Sequence, residues 1–250
     1  MSSRHLAGSL WLLLALACTT TPVLSDQQIQ PYTLEGSDAF SIAGRRLQST
    51  ITYHGREDLT LAALGGATHY HAIVTYVKND GSASTSAHAA YALTMSPAGD
   101  VSNQENADPD YLTILNQPFS VQLDTPTMRD LHGLTQPVPF DFPSPMTGAP
   151  LHGSLRRLVD GTLGGVRVLG IAFSATGPLA GTLPDRPALA LHGTIRMNGT
   201  AYYAYASALL LALDATLLIE GKVDGPSGND TVTITYKRSI RPLPVEKRGR

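Results

Sequence analysis

Histidine is the one reactive residue type that this chain gathers into a pattern. His69 and His71 stand two apart in Ala67-Thr68-His69-Tyr70-His71-Ala72, where alternation predicts a β-strand, so both imidazoles face one side. Asp80-Gly81 is a tight-turn dipeptide. A two-residue hairpin loop that sets Asn79 opposite Ser82 brings His88 opposite Ile73, diagonal to His71. Three imidazoles on one face suit Zn²⁺ or Cu²⁺, so His69, His71 and His88 form a candidate metal site. Zn is then the one cofactor implied, and none otherwise. A loop of three or five residues turns His88 to the opposite face, and exposed or hydrogen-bonded strand histidines are the competing reading.

The single cysteine, Cys18, excludes both an intrachain disulfide and a Cys-rich zinc site. It follows Arg4 and an apolar stretch of 12 residues, Leu6 to Ala17, which is too short to span a bilayer and reads as part of an export signal over residues 1–25. Ala15-Leu16-Ala17-Cys18 is similar to a bacterial lipobox, departing from it at Ala15, where Leu is usual. Lipidation makes Cys18 the acylated first residue of the processed chain, anchored by several acyl chains in the cell envelope or periplasm. Cleavage after Ala17 or Ser25 gives a secreted protein instead.

Other chemistry is sparse. Glu105, Asp108 and Asp110 are oxygen donors for Ca²⁺ or, more simply, a solvated acidic loop without EF-hand spacing. Asn198-Gly199-Thr200 and Asn229-Asp230-Thr231 are glycosylation acceptors in a eukaryotic host. The chain has no Gly-x-Ser-x-Gly elbow, no His-Glu-x-x-His, no phosphate loop and no dinucleotide fingerprint. A triad assembled from distant residues stays open, so an enzyme is the less favoured reading and not an excluded one.

The elements that position these residues are strands and turns. Asp80-Gly81, Gly99-Asp100, Asp160-Gly161, Asn198-Gly199 and Asp224-Gly225 punctuate runs rich in Val, Ile, Tyr, Thr and Leu. Leu151-His152-Gly153-Ser154-Leu155-Arg156 recurs 40 residues later as Leu191-His192-Gly193-Thr194-Ile195-Arg196, and nine of 31 aligned positions are identical. The repeat predicts two strand pairs side by side, with His152 and His192 in one structural role at a strand entry. In the second copy Tyr203, Tyr205, Leu209, Leu211 and Leu213 share one parity and Ala204, Ala206, Ala208 and Ala212 the other, predicting one long strand with a large-residue face. A helix is the competing reading of that Ala- and Leu-rich run. Thr231 to Arg238 predicts the last amphipathic strand. Residues 26–50 read as a linker or N-terminal arm, 51–101 as a hairpin region, 102–150 as a long connection, 151–240 as the repeated meander and 241–250 as a basic tail.

Composition sets the limits. Among 250 residues, 15% are charged against a typical ~25%, 42% are hydrophobic, and the net charge is −2, which excludes a disordered chain and a basic nucleic-acid face. The fold expected is an all-β antiparallel meander, a curved sheet forming a half-barrel or open barrel. Its large-residue face, with Tyr203, Tyr205, Leu209 and Leu211, must be buried against itself, another sheet or a ligand. The first function expected is an exported binding or carrier module for an apolar ligand such as a lipid, a general design it shares with lipid-carrying half-barrels of the envelope. The second is a structural protein that docks another envelope protein. The third is a metal-dependent enzyme on the histidine face.

Overall fold

The structure, a computed structural model, describes residues 28–43, 47–98, 100–106, 123, 125–144, 149–183, 186–225 and 228–243. The export signal, Cys18, Asp108, Asp110 and residues 244–250 lie outside them. Twelve strands follow in chain order: β1 Gln28–Ile42, β2 Leu47–Leu64, β3 Ala67–Asn79, β4 Ser84–Met95, β5 Val101–Asn106, β6 Val138–Pro143, β7 Pro150–Arg157, β8 Gly161–Leu163, β9 Val166–Leu183, β10 Arg186–Ala204, β11 Leu210–Gly225 and β12 Gly228–Pro242. One helix, α1, spans Thr125–Gly133. Among the described residues no helix is long and apolar enough to cross a membrane.

The fold is all-β, as the alternation predicts. One antiparallel sheet runs β5-β4-β3-β2-β1-β12-β11-β10-β9-β7-β6, with β8 paired to β9, and its two edges do not meet. The sheet is a curved, open one. Period-2 patterning decides which face is which. In β3, Tyr70, Ala72, Val74 and Tyr76 are buried, while His71, Ile73, Thr75 and Val77 between them are exposed. The same phase holds in β10, where Leu191, Ile195, Met197, Ala201 and Tyr203 are all buried. These inner-facing residues join one apolar core that runs across both halves of the chain.

Curvature comes from small residues at inner positions. Gly199 in β10 sits so close to β11 that a Cβ would lie 1.9 Å from the Asp214 carbonyl oxygen and 2.6 Å from Phe173 Cζ. Only glycine permits that approach, which lets neighbouring backbones close on the inner side and bends the sheet. Asn198-Gly199 is therefore a strand kink, not the hairpin turn that its dipeptide suggests.

Four further expectations are corrected. Residues 28–42, read as an arm, form β1, which pairs with β2 on one side and β12 on the other at the middle of the sheet. Gly36 interrupts the alternation there, and this hid the strand. The 102–150 connection contains β5, α1 and β6; Pro139 and Pro143 fit β6 because it is an edge strand. The long strand expected through Tyr203 to Leu213 is broken by a turn at 205–207, so Tyr203 falls at the end of β10, which Ala204 closes, and Leu211 at the start of β11, which Leu210 opens. The repeat is not confirmed: His152 pairs with Thr176 of β9, and a strict copy would set His192 opposite Thr216, whereas its β11 partner is Lys222.

Candidate functional site

The histidine face forms, but it does not converge. The loop between β3 and β4 has four residues, so Asn79 pairs with Ser84 and His88 pairs with Thr75. The shift by an even number keeps His88 on the face of His69 and His71. It also moves His88 four residues along from His71, ~13 Å at strand rise. His69 Nδ1 lies 2.9 Å from Thr94 Oγ1, and His88 Nδ1 lies 3.4 Å from Thr75 Oγ1. Among the described residues no group of three His, Cys, Asp or Glu is placed to hold a metal ion. His152 and His192 each face an aspartate of a neighbouring strand, Asp141 at 2.8 Å and Asp224 at 3.8 Å.

Of the predicted ligand residues, Tyr205 is the one that meets α1. Tyr203 is 0% exposed, Leu209 and Leu211 are buried beside it, and Tyr205 stands half-buried in the following turn. That turn is where α1 meets the sheet. Pro126 fits the first turn of α1, where its missing N–H is no loss, and His132 in the last turn suits the carbonyl end of the helix dipole. Leu131 enters the core, with Met128 and Leu134 packed against it. The His132 ring meets Tyr205 edge-on at 5.4 Å.

Polar tethers hold the helix there. Arg157 of β7 donates to the His132 carbonyl at 2.6 Å and to Asp160 at 2.7 Å. Tyr205 Oη donates to the other Asp160 oxygen at 2.7 Å, Arg167 donates to it at 3.1 Å, and the Arg167 guanidinium lies 4.4 Å above the Tyr205 ring. The Tyr205 hydroxyl and the Arg157 guanidinium hold the Asp160 carboxyl well below the usual carboxylate range. The Leu123 amide donates to the Ala208 carbonyl at 3.0 Å. α1 is thus joined to Arg157 of β7 and to the Tyr205 turn through contacts at its C-terminal end.

Two polar groups interrupt the inner face elsewhere. Arg238 of β12 is buried over Gly36, donates to Asp38 at 2.6 Å and lies 4.7 Å above the Tyr53 ring, while Tyr53 Oη donates to Asp38 at 2.6 Å. This clamp ties β12, β1 and β2. Glu57 of β2 is 3% exposed and accepts a 2.6 Å hydrogen bond from Tyr91 Oη. Burial pushes its carboxyl up to about 7, opposed by the Tyr91 hydrogen bond. Tyr32 is its β1 partner, and Tyr32 Oη donates to the Leu210 carbonyl at 2.6 Å, so Glu57 and the start of β11 are linked through one side chain.

A cleft of about 720 Å³ crosses the sheet from β2 to β9. The register puts its residues in three adjacent rows, with Glu35, His54, Asp214 and Lys237 in the rows that flank the buried Tyr53 and Arg238.

Sequence reasoning missed Glu57, Asp160 and α1. For Glu57 a signal existed: it occupies the phase of Tyr53 and Leu59, where an acid is out of place.

No family model matches the chain, and no curated protein does. Among solved structures it is similar to a DUF1329 family protein from Desulfovibrio piger, at 8% identity over 85% of each chain with a TM-score of 0.16. A likeness at that score carries no argument about function.

Proposed function

We propose that this protein is a binding or carrier module for an apolar ligand such as a lipid, taken up on the inner face at the β9–β11 end, where α1 joins it. One observation carries the reading: a single open sheet presents a continuous apolar inner face, and among the described residues α1 is the one helix, joined to the β9–β11 end through Arg157 and the Tyr205 ring. A layered fold buries such a face with a second sheet or several helices. Among the described residues α1 pairs with no strand, so moving it away from Tyr205 breaks no strand ladder. Native mass spectrometry of the protein purified from its host is expected to show co-purifying lipid, and a uniformly clean apo mass defeats the reading. We further propose export and acylation at Cys18, read from the segment around it; radiolabelled palmitate is expected to enter the wild type and not Cys18→Ala.

A second reading, docking to another envelope protein, rests on Ile73 and Val77, which are 54% and 43% exposed on the outer face of β3 with Thr75 between them. Under it, Ile73→Ser abolishes partner capture and leaves lipid content unchanged.

A further inference from the structure

Glu57 poses a question of chemistry that packing does not answer. It sits on the inner face between Leu59 and Gly55, with Val74 opposite it on β3 and Tyr32 opposite it on β1. Its diagonal neighbour on β3 is Tyr76, and Tyr91 of β4 reaches it with its hydroxyl at 2.6 Å. Gln30 of β1 is the other polar side chain nearby, and it donates to the Pro31 carbonyl. Asp58, next in the chain, points to the outer face and is taken by Arg56. No cation faces Glu57 among the described residues: Arg238 lies ~13 Å away along the strand and is committed to Asp38.

A carboxyl buried without a cation is expensive, and an amide or an aliphatic side chain would serve the fold better. What the surroundings offer is three tyrosines: Tyr91 hydrogen-bonded to Glu57, Tyr32 opposite it on β1, and Tyr76 diagonal to it on β3 with its ring 5.8 Å from that of Tyr53. Aromatic faces together with a carboxylate are the recognition chemistry of alkylammonium groups. The site lies on the same inner face as the proposed ligand, and Tyr32 spans from Glu57 to Leu210.

We propose that Glu57, framed by Tyr32, Tyr76 and Tyr91, is the polar recognition point for an amphiphile whose apolar body lies on the inner face and whose head is a cationic ammonium. This rests on the carrier reading above and narrows it to a ligand class. Binding forms an ammonium–carboxylate pair in place of the Glu57 proton, which leaves to solvent. Because burial pushes that carboxyl up to about 7, the pair forms more readily as pH rises through neutrality.

Displacement of bound N-phenyl-1-naphthylamine from the full chain by decylamine and by decanol tests this, at pH 6 and pH 8, in the wild type and in Glu57→Gln. The wild type is expected to bind decylamine roughly tenfold more tightly than decanol at pH 8, with that advantage shrinking at pH 6. In Glu57→Gln the ratio of decylamine to decanol affinity is expected to fall to about one at both pH values. Decanol binding with no amine preference, or an amine preference that survives Glu57→Gln, overturns the ammonium assignment alone. If dye and both amphiphiles fail to bind, the carrier reading itself falls.

Discussion

Two buried groups carry the sharpest single-residue consequences. Glu57 has a carboxyl raised from 4.5 to about 7, so between those values the folded chain keeps a proton that the unfolded chain releases. Stability then falls as pH rises through that window, by ~3 kcal/mol in total, and levels off above it. Urea midpoints between pH 4.5 and 8 should show this decline, and Glu57→Gln should flatten it while gaining stability at pH 8. Arg238 behaves oppositely, because its charge already has a partner. Asp38→Ala strips that carboxylate from a fully buried guanidinium, and the expected loss is ~3–5 kcal/mol by denaturant unfolding. Loss under ~1 kcal/mol would mean that the main-chain acceptors of Arg238 suffice.

Individual elements differ in how firmly the fold holds them. β10 depends on the absence of one side chain: Gly199→Ala must displace the Asp214 carbonyl or the Phe173 ring, and a loss of several kcal/mol or a failure to fold is expected. Gly161→Ala is the control, since nothing lies within 4 Å of the new methyl, and its melting temperature should stay close to that of the wild type. α1 lies at the other extreme. Its tethers run through Asp160, whose carboxyl is held low by Tyr205 and Arg157, so they persist above the ordinary carboxylate range and weaken as pH falls through and below it. Asp160→Asn is expected to raise amide exchange in 125–133 selectively, with β9 to β11 unchanged; uniform exchange across the sheet would show that α1 is integral to the fold.

At the scale of the molecule, the β1–β12 pairing decides the architecture. It joins the first and last described strands and makes one sheet of what would otherwise be β1–β5 and β6–β12 apart. The core cluster runs through both parts, so unfolding should be a single transition with matching calorimetric and van't Hoff enthalpies. Residues 47–106 expressed alone, lacking β1, should show no cooperative melt.

The amino-acid sequence by itself determined the class of fold and the faces of its clearest strands. Alternation is local, and it set His69 and His71 on one face of β3 and Tyr70, Val74 and Tyr76 on the other before any register was known, whereas the face of His88 hung on the length of the loop. It also marked the final strand at Thr231 to Arg238, which extends to Gly228–Pro242. Register and partnership were decided only in three dimensions. A loop of four residues instead of two keeps His88 on its predicted face yet parts it from His71, because face depends on parity while distance depends on count. A glycine reads alike in a turn and in a bent strand, so Asn198-Gly199 disclosed its role only when Asp214 and Phe173 closed on it. And Glu57 became a candidate site only when Tyr32, Tyr76 and Tyr91, far apart in the chain, met around it with no cation among them, for long-range pairing alone creates that environment.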